Sequence, residues 1–170
     1  MTSEDLEKLI KKDKYQVFIF TCPCSIPINF AQHTWFVVNK KGVISRWEVL
    51  LRFFRKDFLN NKESYLYLDL MPKTEGMEVL PFKRGWYWKS KLLTTIEGDE
   101  NSTARKMIDF IENSKNTYKY TNTYALRGPN SNTYIQWVLD HFPELKIRLP
   151  WNAFGKNFKI DATTSKDGSC

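Results

Sequence analysis

Residues 33–51 read HTWFVVNKKGVISRWEVLL, two runs of β-branched and aromatic residues on either side of Asn-Lys-Lys-Gly, and no other stretch narrows the possible folds as much. Val, Ile, Trp and Phe suit a pleated, half-buried surface, while Asn and Gly supply the positive φ that a tight reversal needs. The segment is predicted to be a β-hairpin. Closing its turn around Lys40 and Lys41 puts Asn39 opposite Gly42 and Val38 opposite Val43, and the ladder then runs down to His33 opposite Glu48. Those two side chains share a face. A carboxylate beside an imidazole holds its tautomer, as the orienting partner of a general base does; the same pair equally serves as a plain cross-strand charge pair.

The rest of the chain extends the sheet. YQVFIFT at 15–21 and YLYLDL at 65–70 have strand character, GWYWKSKLLTTIEG at 85–98 is expected to hold one more short strand, and YKYTNTYALRG at 118–128 returns to strand character. CPCSIPINFAQ, with two prolines, cannot continue a strand and is expected to be a loop. A capped N-terminal helix is predicted to reach about Lys12. A second amphipathic helix is marked by Ala104, Met107, Ile108 and Ile111. The expected fold is α+β, an antiparallel sheet of about five strands packed on helices. At 170 residues the chain suits a single domain over 1–160, with a mobile polar tail over 161–170.

GPNSNTYIQWVL, residues 128–139, reads as a turn that opens a helix. Asn130 is a favoured N-cap, and Tyr134, Ile135, Val138, Leu139 and Phe142 recur on one helical face until Pro143. Ser131 falls in the first turn, where free N–H groups and the positive end of the macrodipole favour developing negative charge. It is either a nucleophile or one more residue that satisfies helix donors. His33 and His141 are the two histidines, and His141 is placed as a C-terminal cap.

The net charge of +7 favours an anionic partner, a lipid surface or nucleic acid. No apolar run approaches the roughly 20 residues that a bilayer-spanning helix needs, so no membrane span is expected. The N-terminus lacks the apolar core of a secretory signal, and a cytoplasmic location follows as the expectation. Cys22 and Cys24 do not assemble a four-ligand zinc set, so no metal and no cofactor is expected, and both thiols read as ordinary. Trp86, Tyr87 and Trp88, with Trp151 and Phe154, could stack on bases or sugars beside nearby Lys83, Arg84 and Lys89, or could be core or rim packing.

Taken in order, the blocks FAQHTWFVV, RWEVL, GPNSNTYIQWVLDHFPEL and LPWNAFGKNF resemble a bacterial domain family of uncharacterised function. That family in turn resembles the circularly permuted papain-like superfamily, with relatives such as the lecithin retinol acyltransferase group and the PPPDE isopeptidases. The resemblance implies a permuted papain-like architecture and an acyl-transfer hydrolase acting on a peptide, ester or amide. In that superfamily a histidine that opens a strand precedes a cysteine at a helix start. Here His33 matches the histidine, and Asn130, Asn132 and Tyr134 match positions around the nucleophile. Ser131 stands where the cysteine would be. The implied site is therefore Ser131 and His33, with Asn130, Asn132 and Tyr134 around the nucleophile position; Glu48 joins it as orienting group on the hairpin register alone, and Trp88 and Trp151 are placed at the substrate cleft as part of its aromatic rim. The alternative is a papain-like binding module without activity, which holds a peptide, lipid head group or nucleic acid in the same cleft.

Overall fold

The computed structural model describes residues 1–51, 64–81 and 83–160; the tail predicted over 161–170 lies outside them. The order is α1 (Ser3–Leu9), β1 (Tyr15–Pro23), β2 (Gln32–Lys40), β3 (Val43–Val49), β4 (Leu66–Leu68), β5 (Glu75–Leu80), β6 (Lys83–Lys89), β7 (Lys91–Gly98), α2 (Thr103–Thr117) and α3 (Ser131–Asp140), with a short 3-10 turn at Pro143–Leu145. An antiparallel sheet in the order β4-β3-β2-β1-β7 forms the body, and β5 and β6 pair as a separate hairpin. The fold is α+β. Among the described residues no helix is long and apolar enough to cross a membrane.

Both faces of the sheet are covered, so its central strands do not alternate between buried and exposed residues. Phe36 and Val38 face α2 and α3 in one core, with Tyr134, Ile135 and Val138 of α3 and Met107, Ile108 and Ile111 of α2. Trp35 and Val37, with Phe18, Phe20 and Cys22, form a second core on the other face, closed by Leu6 of α1 and flanked by Met77 of β5 and Trp88 of β6. Each fully buried aliphatic or aromatic side chain contributes about 1.5–3 kcal/mol, and most of the stability of these short helices comes from that burial.

The hairpin forms in a register two residues away from the predicted one. Lys41 and Gly42 both have positive φ, 51° and 91°, so the turn is a two-residue loop around them and Lys40 pairs with Val43. The Asn39 carboxamide accepts the Gly42 N–H at 2.7 Å and locks the reversal. Phe36 pairs with Trp47, which makes Glu48 a diagonal rather than a direct neighbour of His33. A shift of two keeps every side chain on its face, and the His33–Glu48 contact survives it.

Three other expectations are corrected. α1 stops at Leu9 rather than near Lys12. The 85–98 stretch lies on two strands, β6 and β7, that belong to different sheets. Residues 118–128 form turns, not a strand. Their tyrosines spend their β-forming side chains on tertiary packing instead, with Tyr118 against Tyr134 and Trp137, and Tyr124 against Tyr65.

Candidate functional site

The GPNSNT block is where α3, β2 and the last loop meet. Asn130 caps α3, its carboxamide oxygen accepting from Asn132 N and Thr133 N while its NH₂ donates to the Ala125 and Leu126 carbonyls. The Thr133 hydroxyl donates to the Gly155 carbonyl at 2.8 Å and accepts from Asn130 N. Asn132 accepts from the Thr34 hydroxyl at 2.8 Å and donates to the Gln32 and Phe154 carbonyls. Three of the four polar side chains thus hold the fold together. Ser131 does not: among the described residues neither its hydroxyl nor its backbone N–H has a hydrogen-bond partner, although the residue is only 3% exposed.

What Ser131 does face is a cavity of about 490 Å³. Its walls are mainly apolar, from Ile26, Pro27 and Ile28 of the loop after β1, Tyr124 and Leu126 of the turns before α3, and Phe154. Volume and lining suit a small apolar ligand held by few polar groups. The free N–H and O–H of Ser131 sit at the positive end of α3, which favours an anionic or partly negative oxygen there. A larger groove of about 830 Å³ lies along α3, but it is more open, and its walls mix charged and polar groups such as Gln136, Asp140 and Arg148 with Trp137 and Ile147.

His33 and Glu48 come together elsewhere. The His33 Nε2–H donates to Glu48 Oε2 at 3.1 Å, with both side chains 1% exposed. Arg46 completes the cluster: its NH2 reaches Glu48 Oε2 at 2.8 Å, its NH1 donates to the Pro72 and Glu75 carbonyls at 2.6 Å, and its guanidinium lies 4.3 Å from the centre of the Trp35 ring. The His33 ring stacks on Trp35 as well, with 5.6 Å between ring centres. Burial pushes the Glu48 carboxyl up, but the Arg46 charge and the bond and charge of His33 outweigh it, and the group is held below its usual value.

These side chains occupy the face of the sheet away from α3. Thr34, not His33, points to the start of α3, and His33 shares its face with Trp35, Arg46 and Glu48. Among the described residues no hydrogen bond joins His33 to Ser131, and His33 is not among the walls of the Ser131 cavity.

Of the remaining predicted ligand contacts, Asn130 and Asn132 border the cavity. Trp151 stands at an adjoining groove, 84% exposed. Tyr134 is wholly buried and shares a hydrogen bond with Ser114 at 2.8 Å, so it is a core residue. Trp88 donates to the Cys24 carbonyl and packs on the second core, apart from the cavity. Burial pushes the Cys22 thiol up to about 12 and that of Cys24 up to about 11, which disfavours the thiolate in both.

Arg46 was missed in the sequence. Its signal was a charge two residues from Glu48, on the same strand face, in a mainly apolar strand, which calls for a buried partner. The cavity walls were missed as well, although three apolar residues in the proline-bearing loop 26–28 had no periodicity of their own to bury them.

Over residues 14–158 the chain matches a family described as a protein of unknown function (DUF3750). No curated protein and no solved structure matches it.

Proposed function

Because the chain belongs to this family of unknown function, the site has to speak for itself, and we propose that the domain is a binding module for a ligand with an apolar tail and an oxygen-bearing head. The tail fills the cavity between Ile26, Leu126 and Phe154, and a carboxylate or carbonyl oxygen accepts from the Ser131 hydroxyl and N–H. One observation carries this reading: Ser131 is the polar residue of GPNSNT whose donors find no partner among the described residues, and it lies at the wall of an apolar cavity. Two donors at a helix start are a favourable anchor for such an oxygen.

Acyl transfer by Ser131, which the resemblance to permuted papain-like proteins implies, needs a base at the hydroxyl. The order of the pieces, His33 on a strand and Ser131 at a later helix start, follows that plan. The His33 ring on the other face, bonded to Glu48, favours a cleft that binds over one that reacts. A fluorophosphonate is accordingly expected to leave wild-type Ser131 unmodified; labelling that His33→Ala abolishes would restore the hydrolase.

Calorimetric titration with dodecanoate tests the binding reading. Wild type should bind one equivalent, and Ser131→Ala should bind about tenfold more weakly, the worth of a hydrogen bond to a charged group. The thermal midpoint of the variant should stay close to wild type, because the hydroxyl holds no other described group. Equal affinity in the two proteins, or no binding to either, would contradict it.

A further inference from the structure

The rim of the cavity mouth is more apolar than surface facing water usually is. Trp151 is 84% exposed, Phe30 62% and Leu126 53%, with Ile26 at 40% and Phe154 at 37%. These residues are contiguous. Phe30 and Phe154 pack edge to face at 6.0 Å, the Asn152 amide beside Trp151 donates to the Phe30 carbonyl at 2.8 Å, and Ile26, Leu126 and Phe154 are walls of the cavity itself. Isolated exposed apolar residues are ordinary, whereas a connected set around an apolar opening marks an interaction surface.

Charge says what kind. Arg127, Lys156 and Lys159 line a second groove of about 400 Å³ together with Trp151 and Phe154, and among the described residues no acidic side chain lines it. The Lys156 ammonium is held by the Leu149 and Pro150 carbonyls. Arg127 and Lys159 are exposed and, among the described residues, form no ion pair. Aromatic and aliphatic tips beside exposed cations suit the boundary between lipid head groups and hydrocarbon, where the tips enter the apolar layer and the cations meet anionic head groups. A nucleic acid would use the cations and the tryptophan but has no use for Ile26 and Leu126, which offer no ring for a base to stack on.

We propose that this rim docks on the surface of an anionic bilayer and admits a lipid acyl chain to the Ser131 cavity. The destination of the chain rests on the binding reading above; the docking stands on the rim alone.

Flotation of the full chain with vesicles tests it, comparing phosphatidylcholine alone with a mixture containing about one third phosphatidylglycerol. Wild type should bind the anionic vesicles at least about tenfold more tightly, and the difference should shrink as salt is raised. Trp151→Ser with Phe30→Ser should lose about tenfold, and Arg127→Glu with Lys159→Glu should lose the preference for the anionic lipid. All four positions are exposed, and unchanged circular dichroism confirms that the variants fold. Ser131→Ala should float like wild type, and the rim variants should still bind dodecanoate in solution. Lost flotation with retained dodecanoate binding in wild type would overturn docking alone, and the converse would overturn the cavity reading alone. Equal binding to both vesicle types, or single-stranded RNA competing for the same residues, would also overturn docking.

Discussion

Arg46→Met should destabilise the protein by about 3–5 kcal/mol, because it leaves the Glu48 carboxylate buried without its cation. That is a large share of the roughly 5–15 kcal/mol by which a domain is stable. The same change frees the Pro72 and Glu75 carbonyls and removes the cation from the Trp35 ring. Urea unfolding at neutral pH would read the loss as a shift of the midpoint at similar slope. The pH dependence separates this cause from lost packing. In wild type the Glu48 carboxyl is held below its ordinary 4.5, so its contribution is present above that value and lost as acid carries the pH down through the folded one. Without Arg46 the carboxyl loses its largest lowering influence and titrates higher than in wild type, so protonation relieves the variant sooner. The gap between the two proteins should therefore narrow between neutral pH and about pH 4. Arg46→Met with Glu48→Gln should regain a good part of the loss, since no charge is then buried. A double variant as unstable as the single one, with a gap that does not change with pH, would show that the charge pair is not what matters.

Gly155→Val should have an effect of similar size from a different cause. Gly155 has φ of 90°, and a Cβ there would collide with the Asn130 carboxamide that caps α3. A β-branched residue is strained in that conformation by roughly 1–2 kcal/mol, and loss of the cap adds about 1–2 kcal/mol more. The total of about 2–4 kcal/mol should appear in denaturant unfolding. Dodecanoate binding should fall with it, because Asn130 and Phe154 both border the cavity. Gly155→Ala should show a smaller loss of the same kind. A Gly155→Val protein with wild-type stability and binding would mean that the last loop does not hold the start of α3.

This coupling explains why GPNSNT and LPWNAFGK stand out together in the sequence. The first supplies the cap and the latch, and the second supplies the carbonyls of Phe154 and Gly155 that receive them. The helix itself was legible because capping and the 3.6-residue period are local signals. The hairpin was legible to within two residues, since two strands and a turn are local too, but which residues close the loop depends on backbone angles at Lys41 and Gly42. The shared face of His33 and Glu48 survived because strand faces repeat every two residues. Which of the two faces meets α3 was not legible. Trp35 and Phe36 are both wholly buried, so hydrophobicity gave the strand no polar side to turn outward. The cavity was hidden for a further reason, as its walls come from loops far apart in the chain, where no periodicity links Ile26 to Leu126 or Phe154. Residues 118–128 misled for a similar reason: aromatic content favours strands, but these rings found partners in tertiary packing.

If Ser131 anchors an oxygen at the wall of the apolar cavity, its own amide must report the ligand. Backbone amide spectra of the isotopically labelled full chain, recorded while dodecanoate is added, test it most directly. A saturable shift at one equivalent is expected, largest for the Ser131 amide and accompanied by Leu126 and Ala31 from the cavity walls, while Arg46 and Glu48 stay in place. Amides that shift without saturation, or a saturable shift that centres on another part of the surface and leaves Ser131 unmoved, would contradict it.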